Sequence, residues 1–184
     1  SFTDVESLAA SPIDDVLSHW SGLGYYARAR NIHKTANICA ETHGGTLPAT
    51  AKELAALPGI GTSTANAIVS QSTDRPMAVL DGNVRRLLAR HTATEGWTGS
   101  TSVQRRLWAE AENRLPVNRG ADYTQAVMDL GALVCTRSSP RCESCPVSDD
   151  CRALRQGKVE ELPTPKPRTK VREKFVHMAI IRDD

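Results

Sequence analysis

Leu57-Pro58-Gly59-Ile60-Gly61, running into Thr62-Ser63-Thr64-Ala65, is the stretch on which the fold reading turns. It carries two glycines in five residues and sits between two segments with helical punctuation. On its left, Thr50 with Glu53 three residues later reads as a capping box for a short helix that stops at Pro58. On its right, Thr62 to Gln71 reads as a second helix. A glycine turn of this kind exposes backbone amides, and together with the next helix N-terminus they form a cradle for a phosphate. A plain helix–helix connection is the other reading. The order helix, L-P-G-I-G, helix favours phosphate binding and makes Leu57, Gly59, Gly61 and Ser63 candidate nucleic-acid contacts.

Working outward, the same punctuation recurs. Ser11-Pro12-Ile13-Asp14 reads as an N-cap with proline at the first helical position, opening a helix that closes near Gly22. Tyr26 to His43 follows, with Ile32, Ala36, Cys39 and Ala40 at helical spacing and Gly44-Gly45 as its stop. Val84 to His91, Val103 to Leu115 and Tyr123 to Cys135 complete the helical set. None shows the two-residue alternation of a strand, and eight aromatic side chains are few for a sandwich or barrel. The expected fold class is all-α. Alternation appears only at Phe175 to Ile181, beyond a basic, proline-spaced segment from Leu162 to Val171. A lone strand does not stabilise itself, so it reads as a tail that docks on the helices or, the preferred reading, as the opening of a further domain.

Composition narrows the function classes. The chain has 184 residues, 40% of them hydrophobic, enough for a core, and no run of about 18 apolar residues that would span a membrane. The first eleven residues lack the order of a secretory signal, and reduced thiols suit an intracellular setting: cytoplasm or nucleoid in a bacterium, nucleus or mitochondrion in a eukaryote. With 23 basic and 21 acidic side chains, net charge +2 does not by itself draw a polyanion. Its distribution is uneven: residues 152 to 184 hold 9 basic and 5 acidic groups, leaving 14 and 16 for the rest.

Four of the five cysteines follow as Cys135-x6-Cys142-x2-Cys145-x5-Cys151. Structural zinc usually takes two close pairs, and only one pair here is close; intervals of six and five let the chain wrap a wider object. Spacing favours a [4Fe–4S] cluster and leaves zinc, and less readily disulfides or free thiols, open. Four thiolates leave no open coordination position, so a structural role is expected over redox catalysis. Cys39, on an apolar helix face, reads as a core residue. Arg137 and Arg141 stand inside the first cysteine loop, as phosphate contacts or as solvated charges. Met77 to Leu80 then Asp81-Gly82-Asn83 puts a carboxylate between an apolar run and a helix. Asp81 caps that helix, stabilises a developing cation in glycosidic cleavage, or does both.

Taken together, these residues resemble the helix-hairpin-helix DNA glycosylases of the endonuclease III superfamily, and within it the MutY family of adenine DNA glycosylases. The resemblance runs from about Val5 to Cys151. It is carried by Trp20-Ser21-Gly22-Leu23-Gly24-Tyr25-Tyr26-Ala27-Arg28-Ala29-Arg30, by Leu57 to Gly61 with Ser63-Thr64-Ala65, by Leu80-Asp81-Gly82-Asn83-Val84, and by Met128-Asp129-Leu130-Gly131 leading into the cysteines. It implies a helix-hairpin-helix glycosylase fold, part of a helical barrel plus a [4Fe–4S] module, with a short C-terminal β-strand stub. The implied activity is hydrolysis of the N-glycosidic bond of adenine mispaired with 8-oxoguanine or guanine, in base-excision repair, on an extruded base.

The resemblance makes Tyr25 the aromatic that wedges into the duplex, and Asp81 the carboxylate that stabilises the cationic sugar or its adduct, with Asn83 in the same polar network. Bifunctional relatives carry a Schiff-base lysine where this chain has Ser63, so a monofunctional glycosylase is expected. The family's general-acid glutamate and the glutamine-rich stretch after it belong to a segment before the one this chain matches. Glu6 lies in no matching motif. Losing a general acid slows such chemistry by roughly 10² to 10⁴, so weak or no activity is expected of this chain alone. The expected organisation is a partial barrel with the hairpin over 1–76, a helical module with the cluster loop over 77–156, a linker over 157–173 and the start of a Nudix-like domain over 174–184. The expected partner is duplex DNA with an 8-oxoguanine:adenine mismatch, bound by a monomer away from any membrane. An endonuclease III-like enzyme for oxidised pyrimidines and a non-catalytic DNA-binding iron–sulfur module are the alternatives.

Overall fold

A computed structural model describes residues 2–167, 176 and 178. Within them the chain forms nine α-helices and no strand: α1 (Val5–Ala10), α2 (Ile13–His19), α3 (Tyr26–Thr42), α4 (Ala51–Leu54), α5 (Thr62–Thr73), α6 (Gly82–His91), α7 (Thr101–Glu112), α8 (Gly120–Asp129) and α9 (Arg152–Arg155). The all-α expectation holds. The strand expected at 175–181 lies outside the described residues save Val176 and Met178, which take no strand conformation.

Local chemistry explains the boundaries. The first helix was not anticipated, although Asp4-x-x-Ser7 is a capping box: Asp4 Oδ1 accepts from Ser7 N at 2.7 Å and Ser7 Oγ from Asp4 N at 3.2 Å. These bonds hold the Asp4 carboxyl below the usual carboxylate range. Ser11, expected to open the second helix, instead closes the first: its hydroxyl donates to Ser7 O at 2.6 Å, and the cap of α2 is Pro12 without a side-chain bond. Ile32 also departs from its expected inward position. It is exposed, while Ala29, Ala36 and Cys39 are buried, so the apolar stripe of α3 is rotated from the one read off the spacing.

Two hydrophobic clusters result. One joins Cys39, Leu54, Leu57, Ala65 and Val69 from α3, α4 and α5. The other joins Ala78, Val79, Leu80, Val84, Leu88, Ala89, Val103, Leu107 and Ala111 from α6, α7 and the segment before α6. They are bridged by α5 and α8, where Ser70 and Thr124, both fully buried, hydrogen-bond at 2.8 Å. Cys39 is a core residue as expected, and burial pushes its thiol pKa up.

The turn into α8 leaves no room for a side chain. A Cβ on Gly120 would lie 2.4 Å from the Arg75 carbonyl carbon and 2.5 Å from Pro76 N, while Gly120 N donates to Asp74 O at 3.2 Å. Backbone cannot yield as a flexible side chain can. Gly120→Ala is therefore expected to destabilise the fold by about 1–3 kcal/mol, as overpacking does, visible as a lower midpoint in urea unfolding.

Candidate DNA-binding and glycosylase site

Three helices carry the candidate residues in sequence. At the head of α3, Tyr25 has φ +48° and is 83% exposed. A non-glycine residue in the left-handed region is strained, and here the strain turns the ring out of the protein. The Arg28 guanidinium sits 5.7 Å from the Tyr25 ring centroid and 5.4 Å from that of Trp20, sandwiched between the two. Trp20 is fixed by its Nε1 donating to Gly24 O at 2.8 Å.

The same helix supports the hairpin. Gly59 has φ +77°, and a Cβ there would lie 2.5 Å from Asn31 Nδ2 and 2.9 Å from Asn31 Cβ, so the turn packs directly on α3. Thr35 Oγ1 adds a long bond to Pro58 O at 3.4 Å. Ile60 N is used by Leu57 O, but the amides of Gly59, Gly61, Thr62, Ser63 and Thr64 bond to nothing among the described residues. They form the free amide array that the motif implied. Leu57 is 5% exposed and belongs to the core, so its side chain shapes the turn from beneath. Gly59→Ala is expected to weaken DNA binding by about tenfold, because it disturbs the amide array at the helix N-terminus; electrophoretic mobility shift measures it.

From the hairpin, α5 reaches to the candidate catalytic residues. Ser63 Oγ accepts from Leu80 N at 2.9 Å, and Asn66 Nδ2 donates to Ala78 O at 2.7 Å. Segment 78–80 lies in no helix or strand, so these side chains satisfy its backbone. Asp81 follows at the N-cap of α6. Its Oδ1 accepts from Asn83 N at 2.9 Å and Val84 N at 2.7 Å, and its Oδ2 accepts nothing among the described residues. The cap is real, and it uses only one carboxylate oxygen.

Helix α6 then connects this carboxylate to the cysteines. Arg86 Nη2 donates to Asn83 Oδ1 at 3.1 Å and to Gly131 O at 2.6 Å, and Arg86 Nε donates to Cys135 O at 2.8 Å. One turn on, Arg90 is 3% exposed: Nε donates to Leu162 O at 2.7 Å, Nη1 to Thr136 O at 2.7 Å and to Cys135 Sγ at 3.5 Å, Nη2 to Arg137 O at 3.2 Å. Neither arginine was singled out by the sequence reading. Their signal was available as Asn83, Arg86 and Arg90 on one helical face, but their partners lie 45 to 72 residues away.

The expected helix Tyr123 to Cys135 is replaced by α8 and a wider π turn, Leu130–Val134, closed by Cys135 N donating to Leu130 O at 2.8 Å. Gly131 sits there because a Cβ would meet the Asn83 backbone at 2.9 Å. Beyond it, Cys135, Cys142, Cys145 and Cys151 line one cavity of about 380 Å³, part of it open to solvent, with Leu87 and Val134 among its apolar walls. The Cys142 thiol is pushed up by burial and then by the other three cysteines, with Arg90 opposing. Four thiols lining one cavity suit a polycationic occupant, and the donor set fits a [4Fe–4S] cube held by Cys135, Cys142, Cys145 and Cys151. Arg137 and Arg141 are exposed beside it; Arg141 Nη2 donates to Leu133 O at 2.5 Å, while Arg137 makes no side-chain hydrogen bond among the described residues. Glu6 lies elsewhere, its carboxylate over Gly45.

This arrangement of hairpin, capped aspartate and cysteine loop has known counterparts. The HhH-GPD superfamily base excision DNA repair protein family matches residues 1–113. The chain belongs to the HhH-GPD superfamily. Residues 135–151 match the iron–sulfur binding domain of endonuclease III, from the first cysteine of the set to the last, so the [4Fe–4S] assignment stands. The adenine DNA glycosylase of Buchnera aphidicola subsp. Schizaphis graminum is 38% identical over 181 residues, covering 98% of this chain and 52% of that protein. The adenine DNA glycosylase of Homo sapiens is 40% identical over 159 residues, 86% of this chain and 29% of that one. The chain thus spans about half the length, or less, of the curated relatives it matches. Among solved structures, a non-covalent endonuclease III–DNA complex superposes with TM-score 0.69 and 25% identity over 85% of this chain and 72% of that one. A thermostable thymine-DNA glycosylase shares the fold at TM-score 0.71 and 24% identity, over 84% and 71%. Among the described residues, this HhH-GPD chain has no helix long and apolar enough to cross a membrane.

Proposed function

We propose that this chain is the DNA-holding and sugar-stabilising part of a monofunctional adenine DNA glycosylase acting on adenine opposite 8-oxoguanine or guanine. The observation that carries the reading is the 38% identity to an adenine DNA glycosylase along 98% of the chain. The site's geometry supports it. Tyr25 projects as a wedge, the hairpin amides take a backbone phosphate, and the second oxygen of Asp81 faces the cation that develops as the glycosidic bond breaks. Asn83, held by Arg86, keeps the polar environment of that carboxylate ordered. Ser63 has no amine, and its hydroxyl is occupied by Leu80 N, so no Schiff base forms there and the DNA strand stays intact. The [4Fe–4S] cluster, when bound, orders the loop that presents Arg137 and Arg141 to the duplex.

Single-turnover assay of an 8-oxoguanine:adenine duplex, with and without alkali and beside a duplex carrying an oxidised pyrimidine, tests the proposal. Expected is slow adenine release that becomes a strand break only after alkali. Strand cleavage without alkali, or preference for the oxidised pyrimidine, would overturn it. Arg137→Ala and Arg141→Ala are each expected to make the salt dependence of duplex binding shallower by about one unit of slope; equilibrium titration across a salt series measures this.

A further inference from the structure

Between the head of α6, the cysteine loop and the segment 160–166 runs an open groove of about 900 Å³, part of it solvent. Five cationic side chains line it, Arg85, Arg86, Arg90, Arg137 and Lys166, against a single carboxylate, Glu160, which is exposed. Two of the five are committed: Arg86 and Arg90 spend their donors on the protein. The other three are not. Arg85 and Arg137 make no side-chain hydrogen bond among the described residues, and Arg85 Nε is buried without a partner among them. A buried guanidinium donor left unbonded is unfavourable unless a ligand brings the acceptor.

Lys166 is held in place for such a ligand. Its Nζ lies 5.4 Å from the Trp97 ring centroid. The Trp97 ring in turn occupies space that only a glycine leaves: a Cβ on Gly99 would lie 2.2 Å from Trp97 Cζ2. The chain around Lys166 is tied down as well, with Leu162 buried and Gly96 N donating to Thr164 Oγ1 at 3.0 Å. The segment expected to begin a linker at 157 is therefore docked on the domain as far as this wall.

Gly82, the residue after Asp81, is among the residues that line the groove. A polynucleotide whose reacting sugar sits at Asp81 carries its flanking phosphates past the neighbouring Gly82, since phosphates recur about every 3.4 Å of axis along a strand. Several uncommitted cations in one open channel suit such a repeating anion better than a single small one. We propose that this groove binds the sugar–phosphate backbone flanking the excised nucleotide, with Arg85 and Lys166 as its phosphate contacts. The proposal rests on the glycosylase reading above.

Equilibrium binding of the mismatch duplex across a salt series tests it with Arg85→Gln, Lys166→Gln and, as control, Arg105→Gln on the exposed face of α7. Expected is a slope shallower by about one for each groove variant and unchanged for the control. Unchanged slopes for both groove variants, with normal duplex binding by the parent chain, would overturn the groove alone. Failure of the parent chain to bind duplex DNA would overturn the glycosylase reading, and the groove with it. Should a groove variant fold poorly by circular dichroism, methylphosphonate substitution of the phosphates flanking the adenine, with the parent protein, asks the same question. Weaker binding at those positions supports the groove, and no loss at any of them overturns it. A poly-glutamate peptide that binds the groove more tightly than the duplex does, in a manner lost in Arg85→Gln, would assign it to an acidic protein instead.

Discussion

Asp81→Asn, in an enzyme that also carries the family's general-acid glutamate, is expected to reduce single-turnover adenine release by about 10² to 10³-fold, the usual effect of removing one preorganised electrostatic stabiliser, while leaving fold and DNA affinity close to those of the parent. The separation comes from the geometry. Only Oδ1 of Asp81 accepts the Asn83 and Val84 amides, and asparagine caps helices about as well as aspartate, so the side chain still closes α6. What is lost is the negative charge that the proposed function sets beside the developing sugar cation. Asp81→Ala provides the contrast. It removes the cap as well and is expected to lower stability by about 1 kcal/mol, measured by urea unfolding. Strong excision by the asparagine variant would reduce Asp81 to a structural cap.

Arg90→Leu is expected to produce the largest stability loss, about 3–5 kcal/mol, as breaking a buried charged network typically does, and to lower the iron bound per chain. Leucine fills most of the volume but leaves the carbonyls of Thr136, Arg137 and Leu162 without their donor. The first two belong to the loop that opens at Cys135, and Leu162 anchors the segment leading to Lys166. A single substitution is thus predicted to loosen both. Arg90→Lys keeps the charge without the planar fork and should fall between parent and leucine variant. Urea unfolding and iron-to-protein ratio are the two readouts; full iron with unchanged stability in Arg90→Leu would mean that loop and segment hold themselves.

The features legible beforehand share a property: each is a short-range pattern. The Leu57-to-Gly61 turn with its flanking helices, the Asp81 cap and the four-cysteine spacing involve neighbours within a few residues, and all appear where they were read. The misplacements are also local, but there two local signals competed. Ser11-Pro12 looks like the start of α2, yet Ser11 Oγ found Ser7 O first, because α1 places that carbonyl one turn away. Ile32 has the right spacing for the buried face of α3, but that helix packs on the hairpin through Asn31 and Thr35, which turns Ile32 outward. The helix expected through Cys135 widens at Leu130–Val134 because Gly131 must fit against Asn83, nearly fifty residues earlier.

By itself the sequence determined the helical class, the amide-bearing hairpin, the aspartate at a helix start and the set of four thiols, since each depends on backbone conformations and donor types that neighbouring residues dictate. Only the tertiary structure decided how these parts become one site. Ser63 and Asn66 hold the backbone that delivers Asp81, Arg86 joins Asn83 to the cysteine loop, and Arg90 joins that loop to the chain beyond it. The reason is physical. A buried guanidinium or a backbone segment outside any helix must find partners wherever packing brings them, and those partners lie 12 to 72 residues away, where no local pattern records them.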